Sequence, residues 1–360
     1  MNRIITVFAA VLLFVTALSA QNNNAGEKTD KVEKGGKVWG YVFGDYFFKA
    51  AGDSTGSSTQ YAGYPNSYQA FEIRRAYLGY DYTFNEKFSS QILLEGNDKI
   101  LTSTRLGVFI KTAFVEWKAH ENISLAIGLV PTPTWSWALN EKAWNYRSVE
   151  KTIIDMRGLG LASDLGVSAR GKFDKAGNYG FGLMIGNGNG QKPEFNKFKK
   201  YYGTLFAKPV KGLQLEAYAD YEPNYDDKNK TTLKGFAGYT YEKFNFGVEA
   251  FQQTQKNAGG KDIDAVPFGV SAWIWGNLLG KENKPILNVF ARYDMYNPDT
   301  KNDSTGYKEN FISAGLDYMP IENVHFMPNV WVNSYTAKNS SATERKADVV
   351  GRMTFYFVFK

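Results

Sequence analysis

The strongest constraint on the fold is an alternation of apolar residues with small or polar residues in strand-length segments. In residues 122–129 every second position is apolar, and these positions are Ile123, Leu125, Ile127 and Leu129. A period of two places all four side chains on one face of a β-strand. A similar alternation is found in residues 88–96 and recurs to the end of the chain. A long sheet with one apolar and one polar face favours a barrel with lipid outside and water inside.

Sixteen segments are predicted as strands: residues 38–49, 71–84, 88–96, 106–118, 123–130, 161–173, 179–188, 201–208, 213–221, 231–241, 244–253, 266–276, 286–296, 310–318, 324–335 and 348–359. Short connections between them alternate with long ones, as in outer-membrane barrels, which have periplasmic turns and longer outer loops. The longest connection, residues 131–160, is the third long loop and is called loop 3. We predict an all-β fold, a transmembrane antiparallel β-barrel of 16 strands; a secreted β-sandwich or repeat protein is the alternative.

A second regularity tests the barrel interpretation. Aromatic residues on the apolar parity cluster beside the predicted short turns, and they are Tyr80, Tyr82, Phe84, Phe88, Trp117, Tyr239, Tyr241, Phe244, Phe246, Tyr318, Phe355, Phe357 and Phe359. Membrane barrels carry such aromatic belts where their strands meet the lipid–water interface. A soluble sandwich has no physical reason to align aromatic residues at one end of its hairpins.

The remaining composition agrees with export to an outer membrane. Residues 1–20 have a charged start, an apolar core and a small-residue end, which indicates a secretory signal peptide; an uncleaved membrane anchor is the alternative. Residues 21–37 are predicted to be a flexible periplasmic N-terminus, and residues 38–360 the barrel. The chain has no Cys, which excludes disulfides and thiolate metal sites. Its mean hydropathy of −0.38 suits a barrel because only every second residue meets lipid.

Three segments resemble a known family. Residues 71–79, Phe-Glu-Ile-Arg-Arg-Ala-Tyr-Leu-Gly, resemble the second-strand signature of the phosphate-selective porins O and P. Residues 113–117, Ala-Phe-Val-Glu-Trp, resemble the fourth strand of that family, and residues 128–133 are similar to its fifth strand running into loop 3. The resemblance is best over residues 71–173. It implies a sixteen-stranded homotrimeric channel with an inward-folded loop 3 as its constriction and a preference for anions.

The sequence therefore predicts a passive porin of the bacterial outer membrane. It would admit small anionic or polar solutes, with phosphate the solute that the resemblance implies. Its expected partners are outer-membrane lipid and further copies of itself, and we expect no cofactor and no metal. The net charge of +6 is spread along the chain and gives no case for nucleic acid. The alternative is a non-conducting outer-membrane barrel that acts as an adhesin or scaffold.

The lumen-facing parity of the strands carries charges of both signs. The predicted pore-lining cations are Arg75, Arg170, Lys172, Lys234, Arg292 and Arg352, and the carboxylates on the same face are Asp81, Glu95, Glu116, Glu216, Asp220, Glu249, Asp294 and Asp317. Anion selectivity requires cations concentrated at the narrowest point. A basic ladder is possible if Arg75, Arg170, Arg292 and Arg352 lie at suitable depths. The alternative is that cations and carboxylates pair across neighbouring strands and stiffen the wall.

Loop 3 carries the candidate constriction residues, which are Trp135, Trp137, Trp144, Arg147, Lys151 and Arg157. Its tryptophans are expected to pack the loop against the inner wall. The inward face of residues 179–188 is nearly free of side chains because it carries four glycines, and it offers a place for this packing. The alternative is that these glycines ease the curvature of the barrel.

An enzymatic function is not expected. Both histidines, His120 and His325, fall at the predicted periplasmic end, away from outer-leaflet substrates. The sequence also lacks a nucleophile elbow, a phosphate-binding loop and metal-ligand spacing.

Overall fold

The computed structural model is a closed antiparallel β-barrel. It describes residues 34–54, 60–102, 105–135, 138–281, 284–304, 306–340 and 342–360. The side chains of residues 98–106 are not part of this description. The predicted signal peptide, residues 1–20, and most of the predicted N-terminal segment, residues 21–37, lie outside the described residues. The first strand begins at Gly35, slightly earlier than the expected residue 38.

Sixteen strands form the barrel wall of the described chain, and one more short strand is added at its outer end. In chain order they are β1 (Gly35–Ala51), β2 (Gln69–Thr83), β3 (Phe88–Thr102), β4 (Arg105–His120), β5 (Ile123–Pro131), β6 (Ser163–Lys172), β7 (Tyr179–Gly186), β8 (Lys200–Ala207), β9 (Leu213–Glu222), β10 (Lys230–Tyr241), β11 (Phe244–Gly260), β12 (Ile263–Ala265), β13 (Phe268–Lys281), β14 (Lys284–Asn297), β15 (Tyr307–Ile321), β16 (Val324–Ala337) and β17 (Asp348–Phe359).

Each wall strand pairs antiparallel with its neighbours in the chain, and β1 closes the barrel by pairing with both β2 and β17. Tyr41 on β1 lies opposite Tyr77 on one side and Val358 on the other. The short strand β12 pairs with the outer end of β11, and β13 continues the wall beside β11. The predicted barrel of 16 antiparallel strands is confirmed, and β12 lies in a segment predicted as a loop.

The outer face of the barrel carries the apolar side chains. On β5, Ile127 is 63% exposed on the outer face and Ala126 is 6% exposed on the inner face. The predicted aromatic belt also lies on the outer face beside the short turns. There the rings of Phe88 and Trp117 stack 6.2 Å apart on paired strands. This arrangement is the one that a lipid environment requires of a barrel.

Two β-bulges modify the inward parity at positions that matter for the lumen. Arg74 is the extra residue between the pairs Phe43–Arg75 and Gly44–Ile73, so both Arg74 and Arg75 point inward. Lys111 is the extra residue of β4, beside Thr112. A bulge adds one residue to a strand and re-aims the side chains next to it. Each bulge therefore brings one additional cation into the lumen.

The interior is packed with side chains over much of its cross-section. Ala126 lies in a buried cluster with Met184, Tyr202 and Tyr218, so the inner face of β5 meets side chains at this depth. Loop 3 contributes two short helices, α1 (Leu139–Trp144) and α2 (Ile153–Met156). Within the described part of the chain, no helix is long and apolar enough to cross a bilayer.

Candidate pore constriction

Loop 3 lies inside the barrel because its backbone and side chains contact inward-facing residues of many strands. At the start of α1, the backbone N–H of Leu139 donates to the Glu216 carboxylate of β9 at 2.6 Å. The side-chain amide of Asn140 donates to the Glu249 carboxylate of β11 at 3.1 Å. The first N–H groups of a helix have no partner within the helix, so a wall carboxylate is a favourable acceptor for them. These contacts fix α1 against β9 and β11.

The tip of loop 3 packs against β13, β14 and β16. The ring of Trp144 lies 5.8 Å from that of Trp273, and its indole N–H donates to the backbone carbonyl of Glu150 at 2.8 Å. The carboxylate of Glu150 in turn accepts from the indole N–H of Trp331 on β16 at 3.1 Å. Trp144 is fully buried and lies outside the open part of the lumen, although the sequence analysis assigned it to the constriction.

The end of loop 3 is held by an ion pair. Arg157 lies 2.6 Å from the Glu309 carboxylate of β15, and its guanidinium covers the ring of Tyr296 at 4.6 Å from the centroid. Gln253 of β11 donates to the backbone carbonyl of Leu159 at 2.8 Å. The expectation that Arg157 lines the constriction is therefore wrong, because its charge is buried between the loop and the wall.

Arg74 joins the opposite wall to the loop. Its guanidinium forms an ion pair with Asp45 of β1 and donates to the backbone carbonyl of Val149 at 3.1 Å and to that of Ser148. Strict alternation points Arg74 at lipid, so Arg74 is absent from the predicted pore-lining cations. The sequence did contain a signal for the inward position of Arg74. Two successive arginines in a regular strand would place one charge in lipid, unless a β-bulge turns both side chains inward.

An open space remains between loop 3 and strands β1 to β4, and we call it the lumen gap. It is a cavity of about 180 Å³ whose lining includes Tyr41, Tyr77, Gln91, Lys111 and Arg147. Trp135 of loop 3 also borders it. A much narrower space, about 10 Å³, lies between Gln60, Arg74, Arg75, Arg147 and Lys151. Of the six candidate constriction residues, Trp135, Arg147 and Lys151 therefore border these spaces, and Trp137 lies outside the described residues.

Ion pairs dominate the electrostatics of the lumen gap. Arg75 lies 3.0 Å from one oxygen of Glu95, and Lys111 lies 2.8 Å from the other, so one carboxylate serves two cations. On the loop side, Arg147 lies 2.7 Å from Glu141 and 2.9 Å from Asp155. Each carboxylate lowers the field of the cation beside it.

The two carboxyl groups beside Arg147 differ in their pKa values. Burial raises the pKa of Glu141 above its ordinary value, although Arg147 acts in the opposite direction. Burial alone would also raise the pKa of Asp155, but the nearby Arg147 and Lys151 hold that pKa below its ordinary value. Both groups belong to loop 3, outside the membrane-spanning strands. Glu141 is therefore the carboxyl group of this pair that protonates first on acidification.

Three of the six predicted pore-lining cations are covered by loops. Arg292 forms an ion pair with Asp294 at 2.6 Å and donates to the backbone carbonyl of Lys151. Lys234 lies 2.8 Å from Glu216 and also donates to a carbonyl of loop 3. Arg352 donates to Asn329 at 2.8 Å and is buried.

The other three predicted cations remain more open. Arg75 borders the narrower space described above and pairs with Glu95, the carboxylate that also pairs with Lys111 of the lumen gap. Arg170 pairs with Glu116 and is partly exposed, and Lys172 is exposed at the end of β6 near a short turn. The basic ladder of Arg75, Arg170, Arg292 and Arg352 is not formed, because loops cover Arg292 and Arg352. Pairing across neighbouring strands describes Arg75 with Glu95 and Lys234 with Glu216. Arg170 instead pairs with Glu116 two strands away, and Arg292 pairs with Asp294 of its own strand.

The glycine face of β7 receives neither Trp135 nor Trp144, the two loop 3 tryptophans that the structure describes. The ring of Phe206 takes the space beside Gly180, and the carboxylate of Asp164 takes the space beside Gly186. Trp135 instead packs with Ile153 and Phe251. The glycines of β7 thus make room for neighbouring wall side chains, and loop 3 packs against inward-facing residues of strands from β9 to β16.

Residues 60–68 of loop 1, the connection between β1 and β2, also enter the lumen, and the alternation along the strands does not predict this. Tyr61 is fully buried, packs at 4.9 Å from the ring of Phe47, and accepts from Arg352 at 3.3 Å. Lys49 anchors the loop, since its ammonium donates to several loop carbonyls and lies 2.7 Å from Asp348. The sequence signal for this contact was Lys49 itself, a charged residue that follows aromatic residues on the inward face of β1.

The two histidines lie in separate local contacts. Nδ1 of His120 accepts from the backbone N–H of Asn122 at 3.3 Å, and His325 lies 2.9 Å from Asp317. Among the described residues, no group of three His, Asp or Glu side chains is placed to hold a metal ion.

No protein-family profile and no curated protein sequence matches this chain, but solved structures do. An anion-selective porin from Comamonas acidovorans aligns with a TM-score of 0.61 and 12% identity over 91% of this chain and 100% of that chain. The trimer form of OmpT, an outer membrane protein of Vibrio cholerae, and OmpF of Salmonella typhi in complex with daunomycin each align with a TM-score of 0.58, 12% identity, and the same coverage. These similarities show a porin-like outer-membrane barrel fold.

Proposed function

We propose that this protein is a passive, water-filled channel of the bacterial outer membrane that admits small polar solutes with a mild preference for anions. The lumen gap between loop 3 and strands β1 to β4 carries this proposal, because it is the space through which a solute would pass. The lipid-facing aromatic belt supports the location, since it matches the interfaces of a bilayer. The activity proposed is diffusion, without a chemical reaction.

The charges near the lumen gap support a mild preference for anions rather than strict anion selectivity. Arg75, Lys111, Arg147 and Lys151 face the carboxylates Glu95, Glu141 and Asp155. The cations outnumber the carboxylates, but most of them are ion-paired. Exposed charges beyond about 8 Å are screened at physiological ionic strength, so these local groups would set the selectivity. Phosphate is proposed as one of the admitted anions.

A homotrimer is the proposed assembly. The resemblance of residues 71–79 and 113–117 to the phosphate-selective porins implies it, and the Vibrio cholerae neighbour was solved in a trimer form. Crosslinking in native outer membranes would test the assembly separately from conduction.

A non-conducting barrel, used as an adhesin or scaffold, is the second candidate. It is favoured by the narrowness of the space between Gln60, Arg74 and Arg147, where loops 1 and 3 approach each other. The two candidates differ in whether solutes pass.

Planar-bilayer recording of the wild-type protein distinguishes the two candidates. The porin proposal predicts discrete conductance steps in KCl and, in a salt gradient, a reversal potential displaced toward that of chloride. Repeating the gradient with potassium phosphate tests whether phosphate also passes. A barrel that inserts and gives no steps would support the scaffold function, and a reversal potential on the potassium side would contradict the anion preference.

A further inference from the structure

A strip of aromatic side chains runs along the inner wall beside the lumen gap. Trp39, Tyr41 and Phe43 occupy successive inward positions of β1; neighbouring ring centroids lie 6.3 and 6.5 Å apart, and interplanar angles are 11° and 8°. Tyr77 of β2 stacks on Tyr41 at 4.4 Å. Phe43 and Tyr77 are buried, whereas Trp39 and Tyr41 are half-buried. The strip therefore presents aromatic surface to the lumen, where a passive pore for small ions needs none.

The lumen gap brings polar groups to the same place. Tyr41 and Tyr77 form one side of the cavity, and Gln91 and Thr112 lie on the adjoining wall. The Thr112 hydroxyl donates to the Gln91 amide oxygen at 3.0 Å, and the Gln91 amide nitrogen donates to Asp81 at 2.9 Å. Arg147 of loop 3 completes the cavity from the opposite side.

The charged groups in this cavity are held as ion pairs. Arg147 contacts Glu141 and Asp155, and Lys111 contacts Glu95. The cavity thus offers hydrogen-bond donors and acceptors side by side with little net charge. A hydroxyl group both donates and accepts, so a polyhydroxylated solute can use both kinds of partner at once. A compact inorganic anion would use only the cations and would gain nothing from the aromatic rings.

We propose that the lumen gap is a binding subsite for a sugar ring, which stacks its apolar C–H face on Tyr41 and directs its hydroxyls to Gln91, Thr112 and the Arg147–Glu141 pair. A cavity of about 180 Å³ accommodates one monosaccharide unit. Trp39, which is half-buried beside Tyr41, extends the stacking surface along β1, so a second sugar unit can contact a second ring. This inference rests on the proposed function, because the sugar must reach the gap through an open channel.

The experiment measures block of single-channel KCl current by glucose and maltose in planar bilayers. The wild-type channel is expected to show saturable block, with maltose half-saturating at a lower concentration than glucose. Tyr41→Ala is expected to raise the half-saturating concentration about tenfold, in line with a stacking contribution near 1.4 kcal/mol. Tyr41→Phe keeps the ring and is expected to retain the block. Tyr80→Ala, which removes an outward-facing tyrosine of β2, is the matched control and is expected to leave block unchanged.

Gln91→Ala provides a second test from the polar side of the cavity and is expected to weaken block without removing the aromatic strip. If Tyr41→Ala does not fold, Gln91→Ala serves as the test of the subsite. Ion conduction without saturable sugar block would overturn the subsite and leave the proposed channel intact. Equal weakening by Tyr41→Ala and Tyr80→Ala would also overturn it, as would block by inorganic phosphate with none by sugar. Complete absence of conductance would overturn the channel itself and the subsite with it.

Discussion

The guanidinium of Arg157 lies 2.6 Å from the carboxylate of Glu309, and the two side chains are only 1% and 7% exposed. The last cation of loop 3 is therefore an anchor to β15. Its counterpart Arg147 carries the same charge but borders the lumen gap. Two arginines of one loop thus have different roles, and substitutions should separate them.

Arg157→Gln is expected to destabilise loop 3 and leave the sign of ion selectivity unchanged. Breaking one partner of a buried ion pair costs about 3–5 kcal/mol, because the remaining carboxylate is left buried and unpaired. Single-channel recordings should show noisier and larger openings, and thermal unfolding should shift downward. The double variant with Glu309→Gln should recover part of the stability. A reversal potential displaced as far as in Arg147→Glu would contradict the anchor role.

Arg147→Glu is expected to move the reversal potential toward that of the cation. The change replaces a positive by a negative charge at the lumen gap, well within the screening length of about 8 Å at physiological ionic strength. Lys111→Glu should act in the same direction, whereas Arg292→Glu should act mainly on folding because Arg292 is buried under loop 3. The reversal potential in a KCl gradient measures the effect. Equal shifts for Arg147→Glu and Lys172→Glu would show that the gap does not control selectivity.

Acidification is expected to strengthen the preference for anions. Burial raises the pKa of Glu141, so its carboxylate takes up a proton at a higher pH than an ordinary glutamate. Protonation removes a negative charge beside Arg147, while Asp155, whose pKa is lowered, stays charged longer. The reversal potential should therefore move toward that of chloride as pH falls. In Glu141→Gln this movement should be reduced, and an unchanged pH profile would contradict the assignment.

A charge on the lipid face of β5 is expected to impair folding. Ile127→Arg places a cation near the middle of the membrane and should cost about 2–4 kcal/mol. The control is Ser124→Arg, since Ser124 lies on the inward face of the same strand and is half-buried. Refolding yield into liposomes and heat-modifiable gel mobility report the difference. Equal yields for both variants would mean that the faces of β5 have been assigned wrongly.

The sequence predicted the features that the lipid–water boundary imposes along the whole chain. The alternation around Ile127 and the aromatic residues near Trp117 follow from one repeated rule, so their outward position could be derived position by position. The rule fails at Arg74 and Lys111. At each of these positions a β-bulge inserts one residue and turns its side chain inward, although the composition of the strand is ordinary.

The interior was predicted less well because its contacts are not periodic. Alternation places Ala126 on the face of β5 opposite Ile127, where a water-filled interior is expected, but Ala126 packs against Met184 and Tyr202. Arg147 and Arg157 are alike in sequence, and only the path of loop 3 across the lumen decides which one meets a wall carboxylate. Loop 1 likewise enters the barrel through contacts of Lys49 that join distant parts of the chain.

The most direct test uses the absence of cysteine from the natural chain. Gln91→Cys places a thiol at the lumen gap, and Ser313→Cys places one on the inward face of β15, where Ser313 is fully buried. Single-channel conductance is recorded before and after addition of a bulky methanethiosulfonate reagent. An open path between loop 3 and strands β1 to β4 predicts a stepwise loss of conductance in Gln91→Cys and no change in Ser313→Cys. A Gln91→Cys channel that is labelled by the reagent and keeps its full conductance would contradict that path.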